Sequence, residues 1–343
     1  MENGIKGANV DFLIECILAI ETKEECRAFL EDLCTIPEIK AMAQRAEVAK
    51  LLSEKKVYNE IVEETGASTA TISRVNRSLA YGKKIMAYND GFASVYDAFT
   101  KDVDYGAEAD FVMNVMLNAG VSGKTVLDLA CGTGSLTQAL AERGCEVVGV
   151  DISEEMLNKA REKCSQFGER VLLLRQDMRE LDLFGTVDCA VCSLDSLNHL
   201  EGLDSVRKVI ERVFLFLEPG GVFVFDVNTV FKHREVLGDN TFVFETMKSF
   251  LVWQNELCSD GVTVNMYIDV FNLRRDGTYS RESDDITETA YEAEVLKKLL
   301  EDADFENITV YGEDGGKTIR ADEQRLRFTA VKPMSYKERM QNG

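Results

Sequence analysis

The sequence predicts an α/β fold: a largely parallel seven-stranded sheet with crossover helices on both faces, carrying an antiparallel β insertion and preceded by a small all-α domain. Three observations predict it. From Asp11 to Tyr81 apolar residues recur at spacings of three and four, as in Phe12, Ile14, Ile17 and Leu18, then Phe29, Leu30 and Leu33, then Val48, Leu51 and Leu52. From Thr125 onward short aliphatic runs alternate with helical stretches. Between Asn228 and about Thr289 that alternation stops and only β-type runs remain. A chain of 343 residues can build more than one core, so we read residues 1–84 as the helical domain and 85–343 as the α/β domain, with 228–289 as its insertion or lid.

In the helical part, Glu60-Ile-Val-Glu-Glu-Thr-Gly-Ala-Ser-Thr-Ala-Thr-Ile-Ser-Arg-Val-Asn-Arg-Ser-Leu79 reads as a helix, a turn at Gly66 and a second helix capped by Ser68 or Thr69. That is helix-turn-helix grammar. The acid-free stretch 65–84, with Arg74, Arg77, Lys83 and Lys84, falls on the second helix. Thr69, Thr71, Ser73, Arg74 and Arg77 are the side chains placed toward duplex DNA. A generic antiparallel helix pair would show the same spacing.

Five runs supply the central strands: Thr125-Val-Leu-Asp-Leu, Glu146-Val-Val-Gly-Val, Val171-Leu-Leu-Leu-Arg, Val187-Asp-Cys-Ala-Val-Cys and Gly221-Val-Phe-Val-Phe-Asp. The insertion holds Thr241-Phe-Val-Phe-Glu, Phe250-Leu-Val-Trp, Val262-Thr-Val-Asn-Met-Tyr-Ile and Phe271-Asn-Leu, broken by the hairpin signals Asp260-Gly261 and Asp276-Gly277. A last helix from Glu292 to Glu301 and strands at Ile308-Thr-Val-Tyr and Arg325 to Val331 complete the sheet.

The chemistry concentrates in Val126-Leu-Asp-Leu-Ala-Cys-Gly-Thr-Gly-Ser135, a strand carrying Asp128, a tight turn with Gly132 and Gly134, and a helix opening near Ser135. Glycines let the backbone approach a ligand, and a helix amino terminus favours a carboxylate. The second strand ends in Asp151, an acid placed to accept from both ribose hydroxyls of an adenosine. A dinucleotide fold uses the same devices, but its third glycine is replaced here by Thr137, and Asp128 stands before the turn. The third strand then leads into Gln176-Asp177-Met178, where a carboxylate can accept from an adenine amino group and Met can cover the ring. These details favour S-adenosylmethionine over NAD.

Asp128-Leu-Ala-Cys-Gly-Thr-Gly134, Asp151-Ile-Ser-Glu-Glu-Met-Leu157, Gln176-Asp-Met178 and Cys192-Ser-Leu-Asp-Ser-Leu-Asn198 resemble the class I S-adenosylmethionine-dependent methyltransferases of small-molecule type, which have a Rossmann-like sheet. The resemblance runs from Met86-Ala-Tyr-Asn-Asp-Gly-Phe-Ala-Ser-Val-Tyr-Asp97 to about residue 335. It implies that Asp128 and the Gly132/Gly134 turn hold the methionine portion, Asp151 the ribose, and Asp177 and Met178 the adenine, with Tyr88 and Tyr96 closing over the cofactor. It brings Ala130, Thr133, Ile152 and Ser193 to the same site. Ala303-Asp-Phe305, where relatives often have Gly, departs from the pattern at a helix end. Upstream, Phe29-Leu-Glu-Asp-Leu-Cys-Thr-Ile-Pro-Glu-Ile-Lys-Ala-Met-Ala-Gln-Arg45 and Glu64-Thr-Gly-Ala-Ser-Thr-Ala-Thr-Ile-Ser-Arg-Val-Asn-Arg77 resemble the Trp-repressor-related YerC/YecD group. That resemblance implies a homodimer of intertwined helices reading the major groove.

Methyl transfer is an in-line displacement, so alignment and exclusion of water can supply most of the catalysis. After the fourth strand, Asp195, Asn198 and His199 are candidates for acceptor contact or proton removal; capping of the next helix is the alternative for the first two. Cys189 and Cys192 have redox-pair spacing but fall inside a buried strand, so core packing and reduced thiols are expected. Trp253 is either an acceptor platform or a lid-core aromatic.

The net charge of −21 excludes nonspecific nucleic-acid binding by the whole surface, yet residues 1–84 hold 14 acidic and 12 basic residues, net −2, against 46 and 27, net −19, over the remainder. With 3 Pro, at positions 37, 219 and 333, the chain lacks both the Asn/Asp-Pro-Pro-aromatic and the Pro-Cys motifs of DNA methylases. No apolar run has membrane-spanning length and no secretory pattern opens the chain, so a cytoplasmic protein without metal is expected. Two functional readings remain: an enzyme methylating a small-molecule acceptor while tethered to a DNA-binding module, or a regulator whose methyltransferase-like domain senses the cofactor.

Overall fold

The computed structural model describes residues 12–13, 16–18, 20, 22–54, 56–68, 71–72, 75 and 90–334. The chain divides into two compact units, Met1–Lys84 and Ile85–Gly343. Among the described residues no helix is long and apolar enough to cross a membrane.

In the first unit, helices α1 (Lys23–Leu33), α2 (Ile36–Ser53) and α3 (Tyr58–Thr65) follow one another. Thr22 and Glu25 form a reciprocal capping box that fixes the start of α1. Gly66, at φ 64°, ends α3 in the left-handed conformation that a side chain would oppose. Ser68 Oγ accepts the Thr71 N–H at 3.1 Å, which makes Ser68 the cap of the following helix. Val48, Leu51, Ile61, Ala67, Ile72 and Val75 close a small core across α2, α3 and that turn.

The second unit opens with α4 (Asp90–Phe99) and α5 (Tyr105–Asn118) and continues as β1 (Thr125–Leu129), α6 (Ser135–Glu142), β2 (Glu146–Asp151), α7 (Glu154–Cys164), β3 (Val171–Arg175), β4 (Val187–Cys192), α8 (Leu203–Phe216) and β5 (Leu217–Asn228). After the insertion come α9 (Ala293–Asp302), β10 (Glu306–Tyr311) and β11 (Arg325–Val331). The seven strands lie in the order β10-β11-β5-β4-β1-β2-β3, with only β10 and β11 antiparallel to their neighbours. Strands buried on both faces must be apolar throughout, and β1 shows why: Leu127 and Leu129 enter one core with α8 and α9, while Val126 enters the other with α5 and α6. Cys189 and Cys192 are fully buried free thiols, one in each core, as their apolar setting implied.

The insertion is a four-stranded antiparallel sheet, β6 (Thr241–Glu245), β7 (Ser249–Leu257), β8 (Thr263–Leu273) and β9 (Tyr279–Thr289). Both Asp-Gly pairs turn hairpins there, with Gly261 and Gly277 at φ 68° and 83°. The structure corrects two expectations. The apolar runs at 262–268 and 271–273 are one strand, β8, and an unforeseen strand, β9, follows it. The sequence of β9, Tyr-Ser-Arg-Glu-Ser-Asp-Asp-Ile-Thr-Glu-Thr, carries acids that strands usually avoid, and pairing along the whole of β8 overrides that bias. At the end of α9 the left-handed position is taken by Asp304 (φ 66°), which tolerates it, so Ala303 needs no glycine.

Candidate functional site

The sheet changes direction at β1, with β2 and β3 on one side and β4 and β5 on the other, and the crevice at the carboxyl ends of these strands is where such folds place ligands. A cavity opens there. Its wall takes Ala130 and Gly132 from the turn after β1, Asp151 and Ile152 from the end of β2, Asp177 and Met178 from beyond β3, and Tyr96 from α4. Gly132 sits at φ 54°, and a Cβ on it would meet nothing within 4 Å, so the backbone here is open to a ligand.

Asp151 is tied to the turn it faces: Oδ2 accepts the Gly132 N–H and Oδ1 the Ser153 N–H, both at 2.8 Å. Burial pushes its carboxyl above the usual range, with those backbone donors opposing. The ionised form therefore gains from further donors, which ribose hydroxyls are. Asp177 carries a bidentate Arg179 guanidinium; burial would raise its carboxyl, but Arg179 outweighs burial and holds it low. Tyr96 is enclosed beside Asp151, Asp195 and Arg325, and burial raises its hydroxyl well above the ordinary value. The open glycine turn, the buried acid and the apolar Met178 fit an adenosine with a charged amino-acid tail.

Four other residues expected at the cofactor stand behind the wall. Asp128 is buried and accepts from Thr137 Oγ at 2.5 Å, and burial raises its carboxyl to about 6. Gly134 is shaped by packing, since a Cβ there would lie 2.8 Å from Ala160 Cβ on α7. Thr133 Oγ donates to Asp97 on α4, and Lys163 Nζ joins the same carboxylate at 2.9 Å. Ser193 gives its carbonyl to Ser196 Oγ. Tyr88 lies outside the described residues.

The other wall is the segment after β4, with Leu194, Ser196, His199 and Leu200, faced by Asp284, Asp285 and Ile286 of β9. Leu194 and Asp195 both adopt positive φ, 55° and 54°, which is unfavourable for side-chain-bearing residues. Asp226 of β5 holds them there by accepting both backbone N–H groups, at 3.0 and 2.7 Å. Arg325 of β11 then bridges Asp226 and the Asp195 carboxylate at 2.7 and 2.5 Å. Burial opposes ionisation of Asp195, but Arg325, with Lys232 and His199, brings its carboxyl down to about 2. Asp195 stands at the N-cap position of the 3-10 turn Ser196–His199, but its side chain makes no capping hydrogen bond there. Asn198 is fully buried, its Oδ1 accepting from Asn228 N and its Nδ2 donating to Asn228 O and Thr289 O. Those three backbone bonds commit its amide to clasping the insertion onto the sheet, which corrects its candidacy as a reacting group.

His199 faces Glu288 of β9, Nε2 to Oε1 at 3.7 Å. Donor atoms of Asp195, His199 and Glu288 lie within 4.8 Å of one another, but the guanidinium on Asp195 already supplies the positive charge a cation would bring. Trp253 stacks among Phe242 and Phe244, which makes it a lid-core aromatic. Asp97, Asp226, Glu288 and Arg325 were not singled out in the sequence; a half-buried arginine facing a strand-end acid is visible only once β5 and β11 are paired. On the helical unit, Thr71 is half-buried with Oγ 3.0 Å from Ser68 Oγ, while Thr69, Ser73, Arg74 and Arg77 lie outside the described residues.

Comparison with known proteins finds separate matches for the amino-terminal and carboxy-terminal parts of the chain. The Trp repressor protein family model matches residues 8–90 and the Methyltransferase domain model residues 126–221. The chain is 35% identical over 245 residues to YqeM of Bacillus subtilis (strain 168), a protein named as a methyltransferase, covering 71% of this chain and 96% of YqeM. Its amino-terminal part is 48% identical over 93 residues to the uncharacterized protein YerC of the same organism, 27% of this chain and 84% of YerC. Among solved structures, an S-adenosylmethionine-dependent methyltransferase from Clostridium acetobutylicum ATCC 824 matches with a TM-score of 0.64 and 32% identity, over 71% of this chain and 98% of that one.

Proposed function

Because the chain belongs to the S-adenosylmethionine-dependent methyltransferases, with a Trp-repressor-like domain ahead of the catalytic one, we propose that it methylates a small molecule seated between residues 194–200 and strand β9, and that its helical unit binds duplex DNA. The cavity carries this reading, since one concavity is walled on one side by the adenosine-fitting residues and on the other by a strained, acid-held loop carrying His199. When bound, S-adenosylmethionine supplies an electrophilic methyl group whose bonding pair returns to sulfur as the acceptor forms its new bond.

The residues around it do the rest. Asp151 orients the ribose, Asp177 and Met178 the adenine, and the Gly132 turn the amino-acid tail. Ala130 and Ile152 complete that side, Tyr96 shields it from water, and Asp128, Thr133, Gly134 and Ser193 support it from behind. On the acceptor side Asp195 is neutralised by Arg325 and positions the loop, and His199 takes the acceptor's proton. Asp284 and Asp285 in the wall disfavour anionic acceptors, so the nucleophile is an amine or hydroxyl on a molecule without phosphate.

In the helical unit, Leu18, Leu33 and Ile36 are exposed, an apolar surface that supports pairing of two chains through these helices. Thr69, Thr71, Ser73, Arg74 and Arg77 are then the groove-facing residues. Incubation of the full chain with methyl-labelled S-adenosylmethionine and fractionated small-molecule extract tests the enzymatic reading: label moves to a small acceptor. If every fraction leaves the label on the cofactor, the reading fails.

A further inference from the structure

Helix α4 carries two successive residues that serve different parts of the site. Tyr96 lines the cavity, while Asp97 reaches the turn after β1. Asp97 Oδ1 accepts from Thr133 Oγ at 2.5 Å, and Lys163 Nζ stands 3.0 Å from Oδ1 and 2.9 Å from Oδ2. The same ammonium, near the end of α7, donates to Ser135 Oγ at 2.6 Å and to Thr133 Oγ at 3.1 Å. One carboxylate and one ammonium thus join α4, the glycine turn and α7.

The three parts are not held in the same way. Turn and α7 are locked by packing: a Cβ on Gly134 would lie 2.8 Å from Ala160 Cβ, and Cys164 Sγ is 3.7 Å from the Gly134 carbonyl oxygen. Helix α4 rests on apolar surfaces instead. Ala93 and Val95 pack with Met156 of α7 and with Leu251, Ile268 and Val270 of the insertion, and Phe99 meets Phe244 edge-on at 5.6 Å. Such contacts are non-directional, so the bonds of Asp97 are what set the distance from α4 to the turn. An exposed ion pair alone holds little, and Asp97 is 50% exposed. The Thr133 hydroxyl adds a charge-assisted bond, and Ser135 and Thr133 hold the Lys163 ammonium in place before Asp97 meets it.

We propose that Asp97 is a positioning residue for the cofactor: bonded to Thr133 and Lys163, it holds α4 at the glycine turn, keeps Tyr96 across the cofactor seat, and so sets how long the nucleoside stays bound. This rests on the cavity being the S-adenosylmethionine site. With those bonds gone, α4 loosens in its apolar seat and Tyr96 withdraws from the turn. The nucleoside then leaves faster, while its entry is not slowed. The chain supplies its own reporter of this movement. Trp253, its single tryptophan, packs against the cluster that contains Ala93 and Val95, with its ring 6.5 Å from that of Phe244, so a displaced α4 admits water to the indole.

A rapid-filtration chase of labelled S-adenosylhomocysteine from the full chain measures dissociation, and Trp253 emission of the free chain reads the seating of α4. Asp97→Ala should raise the dissociation rate about tenfold, equal to about 1.4 kcal/mol, and shift the emission to longer wavelength. The association rate should stay within about threefold of wild type. Asp97→Asn keeps an oxygen for Thr133 and Lys163, so both readouts should return toward wild type, a rescue that general loss of stability does not predict. Lys163→Met should also speed dissociation. In the double variant the two increases should fall short of their product by about threefold or more, because both residues belong to one interaction. An Asp97→Ala dissociation rate within about twofold of wild type, an unshifted emission, or single effects that simply multiply overturns the proposal. A wild-type chain that does not retain the nucleoside overturns the cavity reading beneath it, before any variant is compared.

Discussion

Replacing Asp151 with alanine removes the acceptor we place on the ribose, and the structure sets the size of the effect. In the free protein each carboxylate oxygen takes one backbone N–H at 2.8 Å, and burial still leaves the ionised form disfavoured. The unliganded chain therefore loses little by the substitution: two backbone donors lose a partner, and a costly buried charge disappears with them. The ligand loses more. Two ribose hydroxyls donating to an ionised acceptor are worth roughly 1.5–3 kcal/mol each, so their loss removes at least ~3 kcal/mol, or about a hundredfold in affinity. The raised carboxyl adds a pH signature, because ligand binding to the ionised form releases a proton, and wild-type affinity falls as the solution is acidified through the carboxyl's range. Titration calorimetry with S-adenosylmethionine and S-adenosylhomocysteine measures both, with circular dichroism to verify folding. Affinity of a folded Asp151→Ala variant within threefold of wild type would refute the reasoning.

Other consequences are equally accessible. Arg325→Met strands the half-buried Asp195 and buried Asp226 carboxylates together, which should cost about 3 kcal/mol, the low end for breaking a buried pair, and lower the melting temperature by roughly 6 °C; a shift under 2 °C would show that the bridge does not hold the loop. Asp128, raised from 3.8 to about 6, penalises the folded state by up to ~3 kcal/mol once ionised. The penalty grows as pH rises from about 4 to about 6 and is constant above, so the stability of Asp128→Asn relative to wild type should climb over that interval and then level off in thermal melts; a flat difference contradicts the assignment. Arg74→Ala and Arg77→Ala should each weaken duplex DNA binding and reduce the salt slope by about 1 in fluorescence anisotropy, whereas unchanged binding would remove this face from the interface.

What the sequence disclosed follows physical rules. Strands buried on both faces must be apolar from end to end, so β1, β2, β4 and β5 stood out as runs, and the Asp-Gly turns marked the hairpins. Strand β9 did not stand out, because its residues are chosen for the cavity and for pairing with β8 rather than for burial. Its position after the Asp276-Gly277 turn was the available signal, since a hairpin needs a second arm. On the cavity wall, Gly132, Asp151, Asp177 and Met178 each sit in a short motif at the end of one of the first three strands, which is why the sequence could group them. Arg325 and Glu288 could not be grouped in that way. Arg325 meets Asp226 and Asp195 across 99 and 130 residues of chain and Glu288 meets Asn228 across 60, a proximity that only the pairing of β5, β11 and the insertion creates. Asn198 shows the opposite error: its place in a conspicuous motif suggested chemistry, and three backbone bonds show an architectural role.

The most direct test is a crystal structure of the full chain with S-adenosylhomocysteine. The ribose should lie on Asp151, the adenine beside Asp177 and Met178, and the sulfur should point toward the wall that carries His199. Nucleoside found anywhere other than this crevice, or with its sulfur turned from residues 194–200, would contradict the account.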